Sequence, residues 1–397
     1  MTEIAFDPDR PLPGPPEPWA ATDTPSRRAG PPYHMTEMIA AEPALARRVL
    51  GRLATATGAA AALAAAIIAT VRGGRPVVVT GCGTSEHGAV GFADIVGEAL
   101  AAIGMRSDGV VAGQAFELAL DPPSGGLVIG ISHEGGTWAT NQALEAARSA
   151  GCEVAVVTAS DRSPAAALAK TVVTTEEIDQ SWCHTIGYLS PLLVGAAVAG
   201  FIARDQQSDA GVVERLLRPT DGQIAAIESA AAALGPRRHV IVLGSGADRV
   251  AGRELTLKIE EGAWIPSAYR DLETFLHGHL PATGEETALV LLATDRRAGT
   301  ARLDRARQAL AAAAEIGVAS AVIATDVARP ALGVHSSAGF IAVDEAASLP
   351  PAQASLFATT APLQLLTERI SRVRGTNPDP IRRDDDRYAA AAARVEG

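Results

Sequence analysis

Three short runs of aliphatic and β-branched residues, Pro76-Val-Val-Val-Thr80, Gly126-Leu-Val-Ile-Gly-Ile131 and His239-Val-Ile-Val-Leu243, each end in a glycine-bearing turn that opens a helical segment. Apolar runs of this length without polar alternation are strands buried on both faces, and such strands need helices on either side of a parallel sheet. The pattern predicts an α/β chain of three layers. Further strands are read at Glu153–Val157, Glu286–Ala293 and Ala319–Ile323, with helices at Thr36–Arg52, Glu86–Gly104, Thr140–Ala150, Tyr188–Asp205, Arg249–Gly262 and Arg297–Ile316. The strand, glycine turn and helix of residues 76–104 recur at 239–262, an internal duplication in a chain of 397 residues, which is long enough for two domains. The expected division is a Pro-rich arm at 1–34, a first domain at 35–210, a second at 221–385 and a tail at 386–397. Open sheets of this kind hold ligands at the carboxyl ends of their strands, where the glycine turns lie.

Composition narrows the partners. The net charge of −11 and pI near 5.3 argue against nucleic acid and against an anionic membrane, both of which call for a basic surface. The cysteines Cys82, Cys152 and Cys183 show neither a disulfide framework nor metal-ligand spacing. Residues 1–32 hold nine prolines and read as a disordered or arm-like leader without a signal peptide. The Ala-rich stretch Leu53–Val71 carries threonines and reads as a buried helix, not a membrane span. A cytoplasmic protein without metal or cofactor is expected.

Two turns have the makings of anion cradles. Gly81-Cys-Gly83-Thr84-Ser85 and Ser132-His133-Glu134-Gly-Gly-Thr137 place hydroxyls and free amide groups between a strand and a helix N-terminus. A third feature is a charge pattern. Glu254, Lys258 and Glu261 fall at i, i+4 and i+7 and share one helix face, with His277-Gly-His279 in the loop beyond. On a surface this would be a solvated ladder of little consequence. The chain, however, has 32 arginines and two lysines, Lys170 and Lys258, so a lysine between two glutamates is not its default cation.

Taken together, the two turns, the Glu-x-x-x-Lys-x-x-Glu helix and the later His-Gly resemble the sugar isomerase (SIS) domain, with the resemblance running over residues 35–390 as two tandem SIS domains of flavodoxin-like α/β fold. Members of that family bind phosphosugars. The resemblance implies that Gly83, Thr84, Ser85, Ser132, His133, Glu134 and Thr137 line the ligand, together with the segment Trp182-Cys-His184-Thr185. It implies that Glu261 shuttles a proton between sugar carbons C1 and C2, flanked by Lys258 and Glu254, and that His277 opens the sugar ring from a neighbouring subunit of a homodimer with a shared active site. The expected ligand is a small sugar or sugar phosphate, and the expected reaction is ketose–aldose isomerisation through an enediolate. Deamination or deglycation of an aminosugar phosphate by the same residues, and a non-catalytic sugar-phosphate sensor, are the competing readings. Three departures stand out. Glu134 occupies a position where the family usually has a hydroxyl, and a carboxylate there would repel a phosphate unless turned away or offset by a protonated His133. The tail Gly375–Arg383 lacks the lysine that relatives use for an imine. His279 replaces a proline.

Overall fold

The computed structural model describes residues 6–395. Two parallel five-stranded sheets form the frame. The first comprises β1 (Val77–Gly81), β2 (Val110–Gln114), β3 (Leu127–Ile131), β4 (Glu153–Thr158) and β5 (Thr171–Thr174), in the order β2-β1-β3-β4-β5. The second comprises β6 (His239–Leu243), β7 (Ser267–Arg270), β8 (Thr287–Ala293), β9 (Ala319–Thr325) and β10 (Gly339–Val343), in the order β10-β9-β8-β6-β7. Read from the second strand laid down in each, the two orders are the same, so the duplication seen in the sequence extends to topology. Both sheets are covered on their two faces by helices, and β1, β3 and β8 are buried over almost their whole length, as parallel strands between helical layers must be.

The glycine turns are dictated sterically at the same place in each sheet. A Cβ on Gly81 would stand 2.7 Å from the Ser85 carbonyl carbon, and one on Gly244 would stand 2.7 Å from the Asp248 carbonyl oxygen. Only glycine lets the helix begin so close to the strand end. The first turn opens helix Thr84–Ala102 and the second opens helix Asp248–Lys258, which packs against the first domain.

Helix Ile186–Ile202 and helix Pro351–Arg374 lie in the interior between the two sheets, buried on nearly every side. No helix among the described residues is long and apolar enough to cross a membrane. Of the two readings of the Pro-rich leader, the structure shows the arm and not disordered chain. From Leu12 to Thr22 it is docked on the first domain by hydrogen bonds to the stretches 134 and 177–178. Proline limits the conformations lost on docking, so a leader without helix or strand can still be held by a few hydrogen bonds.

Candidate active site

Helix Asp248–Lys258 carries the charged triad to the junction of the two domains. Glu254 and Lys258 are completely buried. Lys258 Nζ lies 3.6 Å from Glu254 Oε1 and 2.5 Å from Glu261 Oε2. Across the domain junction, Glu254 accepts from Thr84 Oγ1 at 3.3 Å and pairs with His87 Nδ1 at 2.7 Å. His87, one helical turn beyond Thr84, escaped the sequence reading because a lone histidine near a helix start carries no pattern. After Lys258 the helix widens into a π-turn, Ile259–Ala263, and ends at Trp264 with φ of +57°. Such widened turns aim a side chain out of the regular helical register. Here it leaves the Glu261 side chain 22 % exposed while Lys258 beneath it is sealed.

Charge states follow from this packing. Burial raises the Glu261 carboxyl above the ordinary carboxylate range, and Lys258 offsets only part of that. Glu254 adds to the rise. The neighbouring Glu260 carboxylate accepts the Ser267 amide at 3.0 Å. For Glu254 itself, burial is outweighed by Lys258, His87 and Thr84, so its carboxyl is held below the usual range. Burial alone would weaken Lys258 as a cation, but Glu261 and Glu254 together hold it protonated far above neutrality. The arrangement is a fixed cation and a fixed anion beneath one carboxylate that is easier to protonate than usual. Cys183 packs against the same pair, and burial raises its thiol well above the ordinary range, so it stands there as S–H and not as a nucleophile.

Beyond Glu261 a groove is lined by Glu260, Trp264, Ile381, Arg382 and Tyr388. The Arg382 guanidinium lies between the rings of Trp264, 4.7 Å away, and Tyr388, 4.0 Å away, and Arg383 stacks on Trp182 at 4.9 Å. Trp264, Ile381 and Arg382 all have positive φ, at 57°, 43° and 65°. Non-glycine residues avoid this region, and a cluster of three around one carboxylate marks a site held against local preference. The tail that supplies Arg382 is anchored by Thr376 Oγ1 donating to the Gly262 carbonyl and by the Asp379 carboxylate accepting the amides of His34 and Met35. Of its arginines, Arg382 lines the groove and Arg383 lies over Trp182. Nothing in the sequence alone linked these residues to Glu261.

The segment Trp182 to Thr185 is organised by Asp179, which the sequence reading also missed. Its buried carboxylate accepts the amides of Thr185, Ile186 and Gly187 at the start of helix Ile186–Ile202, and the Thr185 hydroxyl besides. Its own amide donates to His133 Nε2 at 3.0 Å. The Asp179 carboxylate lies 3.6 Å from the same nitrogen. His184, with its ring 5.4 Å from that of His133, is pushed down to about 4 by burial and is neutral near pH 7.

In the Ser132 turn, Ser132 is buried and its hydroxyl donates to Thr137 at 3.4 Å. Thr137 and Gly136 are exposed at the mouth. Glu134 is directed at the leader: its Oε2 accepts the Thr22 amide and its carbonyl accepts the Trp19 indole N–H, both at 2.9 Å. The equivalent position in the second sheet is filled from within. Asp295, following β8, accepts the Ala247 amide at 2.7 Å and is gripped by Arg297 and Arg302 at 2.7 and 3.0 Å. A protein carboxylate thus sits where the first domain presents open amide and hydroxyl groups.

His277 lies elsewhere. It is 69 % exposed, and its Nε2 meets Glu273 at 2.8 Å and Arg305 at 3.3 Å, not Glu261. Within one chain the structure unites Thr84, Glu254, Lys258 and Glu261, and separately joins His133 to the Thr185 segment. It leaves His277 on the outside.

Residues 233–367 match the SIS domain. Glutamine–fructose-6-phosphate aminotransferase (isomerizing) of Zymomonas mobilis is 30% identical over 181 residues, which span 43% of this chain and 30% of that protein. The chain thus matches less than a third of that curated relative's length. Among solved structures, the C-terminal domain of glucosamine-fructose-6-phosphate aminotransferase from Francisella tularensis superposes with a TM-score of 0.75 at 16% identity, covering 89% of this chain and 99% of that one. Tagatose-6-phosphate ketose/aldose isomerase from Escherichia coli gives 0.65 at 18%, covering 91% and 98%. Glucosamine-6-phosphate deaminase from Thermotoga maritima gives 0.58 at 18%, covering 77% and 87%. One SIS domain is thus matched over residues 233–367, and the sheet that precedes it has the same strand order.

Proposed function

We propose that the protein is a ketose–aldose isomerase acting on a sugar phosphate or a related anionic carbohydrate derivative, with Glu261 as the base. One observation carries the reading. Glu261 alone of the charged triad reaches the groove, its carboxyl is raised by burial, and a sealed Lys258 lies directly beneath it. A proton on carbon next to a carbonyl is weakly acidic, and its removal needs a positioned base of raised pKa and stabilisation of the resulting oxyanion. Glu261 takes the C2 proton of the aldose, the electrons move into the C1 carbonyl to give the enediolate, the O2 hydroxyl proton passes to O1, and the same carboxyl returns the carbon-bound proton to C1 as the C2 carbonyl of the ketose forms. Lys258 holds the carboxylate in one orientation from below, and its charge limits the cost of the developing anion. Arg382 provides positive charge on the groove wall. The two glycine turns of the first domain bind the anionic end, since the second domain's counterpart is filled by Asp295.

The protein acts as a homodimer in this proposal, because His277, exposed in the single chain, is then free to complete a neighbour's groove and open the sugar ring. The relatives support both the isomerase reading and its nearest competitor: one is named an isomerase of tagatose 6-phosphate and another a deaminase of glucosamine 6-phosphate. The deciding experiment assays both outcomes on one panel of hexose 6-phosphates and aminohexose 6-phosphates. Interconversion without ammonia is the expected result, abolished in Glu261→Gln. Stoichiometric ammonia release would move the assignment to a deaminase, and full turnover by Glu261→Gln would remove Glu261 from the chemistry.

A further inference from the structure

The docked leader gives Glu134 a role. Leu12 donates its amide to Glu177 at 2.8 Å, and the Pro13 carbonyl accepts the Ile178 amide at 3.1 Å. Glu17 pairs with Arg162 at 2.5 Å, on the far side of the Ser132 turn. Between these anchors the Trp19 ring lies flat enough on the turn that a Cβ at Gly136 would stand 3.0 Å from it. Gly135, with φ of +79°, leaves no room for a side chain against Ser163 on the other flank. The turn is therefore clamped between the leader and the Ser163 segment, and Glu134 is the residue through which the leader holds it. From Glu134 the connection continues to its neighbour His133, to Asp179, and so to the Thr185 segment. Hydrogen bonds at either end of the Glu134–His133 backbone link thus connect the leader to both segments read as facing the ligand.

We infer that Glu134 is a positioning residue: its carboxylate, by accepting the Thr22 amide, fastens the leader across the Ser132–Thr137 turn and holds the turn's amide and hydroxyl groups in the geometry that receives the ligand's phosphate. The inference rests on reading that turn as the anion cradle. It replaces the repulsion expected of a carboxylate in such a loop with a structural clasp, because the charge is already directed at an amide of the same chain. Glycine at 135 and 136 belongs to the same device, admitting Ser163 on one side and Trp19 on the other.

The test uses the full-length protein with Glu134→Ala, Glu134→Gln, Thr22→Pro (which deletes the donating amide) and the Thr22→Pro/Glu134→Ala pair. Binding of inorganic phosphate and of fructose 6-phosphate is measured by calorimetry, and hydrogen exchange is followed over residues 12–24 without ligand. Loss of a hydrogen bond to a charged acceptor should weaken binding about ten-fold in Glu134→Ala and in Thr22→Pro, with no further loss in the pair, since both remove one contact. Glu134→Gln keeps an acceptor and should bind as the wild type does. The loss should fall on KM and not on kcat. Exchange over residues 12–24 should accelerate in the same variants that bind weakly. Tighter binding by both Glu134→Ala and Glu134→Gln would mean that the carboxylate repels the ligand, and additive losses in the pair would mean that Thr22 and Glu134 act separately. Either result overturns the inference. A wild type that binds neither probe would refute the cradle reading instead, and the exchange data would still decide whether Glu134 is the clasp.

Discussion

Replacing Lys258 with methionine keeps the volume of the side chain and removes its charge from beneath Glu261. Lys258 Nζ lies 2.5 Å from one carboxylate and 3.6 Å from the other. At an effective dielectric of ~20 these attractions are worth roughly 7 and 5 kcal/mol before desolvation. Burying an ammonium completely takes back most of that, so the measurable quantity is the cost of leaving its partners unpaired, about 3–5 kcal/mol. The lower end is expected, because Glu254 keeps His87 and Thr84 and only Glu261 is stranded. For folding units of this size that corresponds to a fall in Tm of roughly 6–12 °C. The pH dependence carries the sign. Glu261 already has a raised carboxyl in the folded protein, and losing Lys258 raises it further. A group raised on folding contributes its stability below its unfolded pKa and forfeits it as pH rises through the folded one. The deficit of Lys258→Met should therefore grow as pH rises above the ordinary carboxylate range, and the acid limb of kcat/KM should move to higher pH. Thermal denaturation followed by circular dichroism, together with the pH–rate profile, reads both. A variant within about 2 °C of wild type at every pH would refute the buried-triad argument.

Two other results are expected. Asp295 is held down to about 2 despite its burial, chiefly by Arg297 and the Ala247 amide. A depressed carboxyl contributes stability above its unfolded pKa and loses it as pH falls through the folded value, so the second domain should lose roughly 2–3 kcal/mol between about pH 4 and pH 2. Urea denaturation at pH 5 and pH 3 should show this slope in the wild type and a flatter one in Asp295→Asn, whereas identical slopes would mean the carboxylate is not what fills that turn. If His277 serves a neighbour's groove, mixing inactive Glu261→Gln and His277→Ala subunits should restore about a quarter of wild-type activity, because half the dimers are mixed and each has one intact site. No recovery after verified subunit exchange would place ring opening on residues of the same chain.

The interior of both sheets was legible in the sequence, while their edges were not. The runs read as strands are β1, β3, β4, β6, β8 and β9, the central members whose burial on two faces leaves an unbroken apolar stretch. β2, β5, β7 and β10 are the four edge strands, short and partly exposed, with residues such as Thr171, Ser267 and Arg270 that resemble loop. Helix Pro351–Arg374 gives no amphipathic stripe because it is buried nearly all round. At the site, Glu254, Lys258 and Glu261 were legible because one helix carries them at fixed spacing. His87, Asp179, Arg382 and Tyr388 were not, since each reaches the site through tertiary contacts alone: one across the domain junction, one by capping a helix, two on a tail that returns beside the groove. The docked leader was hidden for a related reason. Proline-rich composition reports the absence of regular structure, and hydrogen bonds from Trp19 and Thr22 to Glu134 leave no periodic trace.

The chemistry assigned to Glu261 has a direct readout in the hydrogen it moves. Incubating the protein in deuterium oxide with an accepted hexose phosphate and following C1 and C2 by nuclear magnetic resonance reports each proton transfer, whatever step limits turnover. Wild-type protein should exchange the transferred hydrogen with solvent during interconversion, and Glu261→Gln should bind the same sugar with no exchange at either carbon. Exchange by Glu261→Gln at the wild-type rate would show that another group carries the proton.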